Sequence, residues 1–179
     1  MFLLPVCWMV LICMIVISDQ ISNRPGIIER FSFVCLVASA VIVFVIFYKT
    51  VSGRTGGVQE IIFIPFYTLY EAQKRPELYR QMLMNVFLFE PLGLVVPFGL
   101  SWLLVRKKMM TVSVYDRSSS LVVVKYSVLF CLCLSLMIEL CQGFFGLGRA
   151  ETDDVIMNLL GALIGIVCYL AVVLFRKEN

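Results

Sequence analysis

The chain contains no histidine, and that absence removes a large share of enzyme chemistry: no imidazole base, no Ser-His-Asp triad and no His-containing zinc site can be built from it. Charge is scarce, at 15% of residues. No Cys-x-x-Cys pair occurs among the seven cysteines, which fall in apolar stretches and read as buried thiols. No segment is long and polar enough to form an independent soluble core. The modest net charge of +3 comes from Lys and Arg lying mainly between apolar blocks, where lipid headgroups rather than nucleic acid would meet them.

What the chain has instead is hydrocarbon. Hydrophobic residues make up 61% of it, with a mean hydropathy of +0.96, and they fall in long unbroken blocks. An integral membrane protein follows: a single all-α domain over 1–179, a polytopic bundle of about five transmembrane helices. The blocks are 2–17, 31–48, 82–105, 121–141 and 155–175. The first lacks the basic flank and Ala-x-Ala site of a cleaved signal, so it is expected to remain as a short transmembrane helix. Pro25-Gly26 then breaks the chain before the second block. Residues 61–70, IIFIPFYTLY, are too few to span and are interrupted by Pro65, so they are expected to form a re-entrant or interfacial segment. The third block carries Asn85, Glu90, Pro91, Gly93, Pro97 and Gly99, a pattern that predicts a kinked helix.

Orientation follows from Lys and Arg on alternate sides. Arg24, Arg30, Arg106, Lys107, Lys108, Arg117, Lys125, Arg176 and Lys177 outnumber Lys49, Arg54, Lys74, Arg75, Arg80 and Arg149. The bias favours an outside N-terminus and an inside C-terminus, and it gathers the unusual polar residues at the outer face.

Those residues crowd the junction of the last two blocks, SLMIELCQGFFGLGRAETDDVIMNLLGALIG, from Ser135 to Gly165. Polar groups near hydrocarbon are costly and mark use. Ser135, Glu139 and Gln142 share one face of the fourth helix, and Asp154, Asn158, Gly161 and Gly165 share one face of the fifth. Gly161 and Gly165 form a GxxxG pair that lets another backbone come close. Asp153 stands where a helix favours an N-terminal carboxylate, so capping accounts for it without a ligand. Capping does not account for Glu139, Gln142, Asp154 and Asn158 together.

Three pieces of this sequence, NVFLFEPLG, then IELCQ, then DDVIMNLLGALIG, resemble the VanZ-like membrane proteins, whose founding member is associated with teicoplanin (glycopeptide) resistance in bacteria. The resemblance covers about residues 62–165 and leaves the N-terminal helices within 1–48 outside it. Its pattern falls on Asn85, Phe89, Pro91, Gly93, Glu139, Gln142, Asp154, Asn158 and Gly161. IIFIPF resembles the family's Asn-Leu-Ile-Pro-Phe with Ile62 in place of Asn; Glu90 replaces an apolar residue, Glu151 stands where Asp is usual, and Arg149 stands for the arginine before the acidic turn.

With no nucleophile–base pair visible, the leading expectation is an accessory or binding protein of the bacterial cytoplasmic membrane rather than an enzyme. It would hold a polar headgroup, of a membrane lipid or a cell-wall lipid intermediate, among Asn85, Glu90, Glu139, Gln142, Arg149, Asp153, Asp154 and Asn158, and it calls for no cofactor. The alternative is a metal-assisted enzyme acting on a lipid-linked polyprenyl phosphate, with Glu139 as general base and Asp153 and Asp154 holding Mg²⁺ or Ca²⁺. Proton-coupled transport ranks third, because no internal repeat is present.

Overall fold

The computed structural model describes residues 25–52, 60–106 and 117–177. The expected first helix, 2–17, lies outside the described residues. Within them the elements run α1 (Pro25–Phe47), continued by a π-helical turn (Tyr48–Ser52), β1 (Glu60–Ile62), α2 (Tyr67–Ala72), α3 (Glu77–Arg106), α4 (Arg117–Phe145), β2 (Arg149–Glu151) and α5 (Thr152–Lys177). Four helical stretches, Glu29–Val51, Glu77–Leu104, Ser120–Phe145 and Thr152–Val173, are long and apolar enough to cross a membrane. The expected all-α membrane bundle is therefore observed. The 61–70 segment does not span; it divides into a three-residue strand and a six-residue helix.

The bundle is organised around α3, which packs most extensively on α5, then on α1 and α4. The α3–α5 contact is backbone against backbone. A Cβ placed on Gly161 would lie 2.1 Å from the Val86 carbonyl oxygen, and one on Gly165 would lie 2.1 Å from that of Glu90. The glycine pair thus serves α3 rather than α4, and close approach of this kind gives dispersion contact where lipid offers no hydrophobic drive between helices. Two apolar clusters complete the interior. One gathers Phe98, Tyr169 and Val172 with Cys35, the other Phe89, Leu92, Leu134 and Ala162 with Ile46. Large apolar side chains such as Val34, Phe44, Leu129 and Val167 remain exposed, as lipid-facing positions should.

Despite Pro91 and Pro97, α3 is one continuous helix. Ser101 bonds back to the carbonyls of Pro97 and Phe98, at 3.0 and 2.7 Å, which occupies backbone acceptors next to the second proline.

The end of α1, the start of α3, the end of α4 and the start of α5 share one end of the bundle, called here the hinge end. Gln142 Nε2 donates to the Thr50 carbonyl at 3.1 Å and ties α4 to the turn after α1. At the end of α4, Gly146 takes φ 63° and Leu147 N donates to the Gln142 carbonyl at 3.0 Å, a Schellman stop that glycine makes easy. The chain then enters β2, which pairs in parallel with β1 in the register Glu60 to Arg149, Ile61 to Ala150 and Ile62 to Glu151. This ribbon joins the non-spanning segment to the α4–α5 junction.

Candidate functional site

Two different structures are made from the polar residues of the hinge end. The first is a clamp. Ile64, Pro65, Phe66 and Tyr67 form a turn of type II character: proline in its second position, Phe66 at φ 63° in its third, and Tyr67 N donating to the Ile64 carbonyl at 3.3 Å. Glycine is usual where Phe66 stands, and an L-residue there costs about 1–2 kcal/mol. Asp153 offsets that cost from the first turn of α5. Its two carboxylate oxygens accept from Phe66 N at 2.5 Å and Thr68 N at 2.7 Å, satisfying donors at the start of α2. Asp153 therefore caps α2, not its own helix as the sequence led us to expect.

Other bonds reinforce the clamp. Thr68 Oγ1 donates to Glu151, and Thr152 Oγ1 donates to the Ile62 carbonyl at 3.3 Å. Glu139 Oε2 accepts from Glu151 N at 3.0 Å, so this buried carboxylate fixes the end of β2. Asn158 donates to Ser135 Oγ at 3.0 Å, which joins the polar faces of α4 and α5. Glu139, Gln142, Asp153 and Asn158 are all buried.

The second structure is a polar cavity of about 530 Å³ lined by Thr68, Arg80, Gln81, Asn85, Arg149, Glu151 and Asp154, with Leu78, Met82 and Met84. It brings together Asn85, Arg149 and Asp154 of the expected site. Arg80 and Asn85 come from the first turns of α3, and Asp154 from the first turn of α5, which places the cavity at the end of the spanning segments. Glu90 does not line it; that residue lies further along α3, where its carbonyl abuts Gly165.

Arg149 is the electrostatic centre. Its Nε lies 3.2 Å from Glu60 and 3.1 Å from Glu151, and Nη1 and Nη2 both donate to Glu71 at 3.1 Å. Burial works against its charge, but Glu151, Glu71 and Glu60 outweigh that and raise its pKa above the ordinary arginine value. The guanidinium is therefore a permanent cation already surrounded by carboxylates.

Behind the β ribbon lies an apolar cavity of about 420 Å³, lined by Ile61, Phe63, Leu136, Leu140, Phe144 and Val155, with Glu139 and Glu151 in its wall. Glu151 thus borders both spaces.

Sequence reasoning missed the parts played by Glu60, Glu71 and Thr68. The signal for Thr68 was the Ile-Pro-Phe turn, whose free amides require an acceptor. The signal for the glutamates was the single arginine of the acidic turn, which needs counter-charges near hydrocarbon. As for metal, no group of three or more Cys, Asp or Glu among the described residues could hold an ion, and both oxygens of Asp153 are engaged by backbone amides.

A family model described as VanZ/LLP1 matches residues 31–176, which takes in α1 through α5. No curated protein and no solved structure matches the chain.

Proposed function

Because the chain belongs to the VanZ/LLP1 family, and its apolar helices make it a membrane protein, we propose that it is an accessory binding protein of the bacterial envelope, of the kind linked to glycopeptide resistance, which holds a polar headgroup at the hinge end. The observation that carries this reading is the polar cavity at the end of α3 and α5, with Arg80, Asn85 and Asp154 in its wall. A headgroup entering there would replace solvent with fixed hydrogen-bonding groups while its tails stayed in lipid. The Lys and Arg bias supports an orientation with this end on the outer face of the cytoplasmic membrane, where glycopeptides act.

Expression of wild type, Asp154→Asn and Arg80→Gln at equal abundance in a susceptible bacterium tests the proposal. Wild type is expected to raise the teicoplanin concentration needed to stop growth, and both substitutions to lower it towards the empty vector. Wild type indistinguishable from the empty vector would sink the resistance reading. Cysteine labelling in a Cys-depleted background checks the orientation: position 147 should react from outside and position 118 should not.

A further inference from the structure

We infer that the apolar cavity behind the β ribbon takes one acyl chain of a membrane phospholipid, which enters sideways from the bilayer and packs under the ribbon. This site is distinct from the polar cavity, and the inference stands without the function proposed above.

The ribbon has two unlike faces. Side chains alternate along a strand, and its two middle residues, Ile61 and Ala150, are register partners. Both turn towards α4: a Cβ placed on Gly143 would lie 3.2 Å from Ala150 Cβ and 3.7 Å from Ile61 Cδ1. Arg149, the next residue along, is drawn the other way by Glu60, Glu71 and Glu151. One face of the ribbon is thus bound into an ionic network, while the other roofs a cavity of about 420 Å³.

Where that cavity opens identifies its occupant. Its α4 wall runs from Leu136 to Phe144, about 12 Å of helix, and this stretch belongs to the spanning segment Ser120–Phe145. Leu140 is 72% exposed, Phe144 81% and Phe63, from the ribbon side, 79%. Around a spanning helix such side chains meet hydrocarbon, so the cavity is continuous with the lipid-facing surface of α4. Its polar groups are already engaged. Glu139 accepts from Glu151 N, Glu151 accepts from Thr68 and pairs with Arg149, and Thr152 donates to the Ile62 carbonyl. An apolar space whose few polar groups are bonded elsewhere favours hydrocarbon over water.

Charge selects among lipid chains. No Lys or Arg among the described residues lines the cavity. A polyprenyl phosphate carries its phosphate directly on the chain end and would bring it, without a counter-charge, to a wall whose charged residues are carboxylates. A phospholipid acyl chain ends instead in a neutral ester, and its phosphate stays at the membrane surface.

Hydrocarbon contact alone holds such a chain, so detergent replaces it and the test is made in the bilayer. The full-length chain is reconstituted in vesicles of phosphatidylglycerol and phosphatidylethanolamine containing a trace of phospholipid with a photoreactive diazirine in the upper part of one acyl chain. After irradiation the labelled residues are mapped by mass spectrometry. Label is expected on Ile61 and on Ala150, which is only 8% exposed, as well as on the lipid-facing Phe44 of α1. Leu136→Trp, which fills the end of the cavity furthest from the hinge, should remove label from Ile61 and Ala150 and leave that on Phe44. Val155→Phe, from the α5 wall, should do the same and decides if the first variant does not fold. An excess of polyprenyl phosphate should leave the pattern unchanged. Absence of label from Ile61 and Ala150 in wild type, or label undiminished in the filled variants, would overturn the inference. Displacement of the acyl label by polyprenyl phosphate would overturn it too, in favour of an isoprenoid occupant.

Discussion

Asp153 and Asp154 are neighbours in the first turn of α5, yet one belongs to the clamp and the other to the cavity. Asp153 is 2% exposed, and both its oxygens are bound to amides of the α2 start. Asp154 is partly exposed and lines a space large enough for a headgroup. The difference teaches that a polar residue near hydrocarbon is not by that fact a ligand-binding residue. The bilayer charges the same desolvation cost to a carboxylate that holds two chain segments together and to one that lines a cavity.

The comparison can be broken most severely at the helix contact on which both regions depend. Gly161→Leu drives side-chain carbon into the Val86 backbone, which cannot retreat without separating α3 from α5; no monodisperse protein is expected on size-exclusion chromatography. Asp153→Ala is next. It strands the Phe66 and Thr68 amides and removes what offsets the Phe66 conformation, for a loss of about 2–4 kcal/mol in a reversible denaturation assay. Arg149→Met leaves Glu60, Glu71 and Glu151 facing one another. Because the site is partly exposed, about 1–2 kcal/mol is expected, and faster proteolysis of the 60–72 segment should accompany it. Glu139→Gln keeps an oxygen for Glu151 N, so its effect should stay below about 1 kcal/mol by the same assay. A larger loss would move Glu139 from positioning β2 to a role that needs its charge.

Much of the fold was legible because hydrocarbon speaks plainly in sequence. The apolar blocks marked the spans, Gly161 and Gly165 announced a close helix contact, and Pro65 stopped 61–70 from spanning. Which helix would approach the glycines was not legible, since GxxxG specifies a distance and not a partner. The candidate site was read only in part. Spacing put Ser135 and Asn158 on the polar faces of α4 and α5, which the structure joins through these two side chains, but period alone could not divide Glu139 and Gln142, which are consumed by backbone partners, from Asp154, which lines the cavity. That division depends on the parallel pairing of β1 with β2, a contact between residues 60–62 and 149–151 that no local pattern encodes. The prolines of α3 do not end the helix, which runs on from Glu77 to Arg106 with Ser101 bonding back to the Pro97 and Phe98 carbonyls.

One paired measurement bears most directly on the separation of clamp from cavity: thermal unfolding and lipid retention recorded side by side for Asp153→Asn and Asp154→Asn. The account predicts that Asp153→Asn lowers the melting temperature while the protein that remains folded keeps its bound lipid. Asp154→Asn should lower the melting temperature less than Asp153→Asn does and lose the retained lipid. Equal destabilisation by the two substitutions, or undiminished lipid retention in Asp154→Asn, would contradict it.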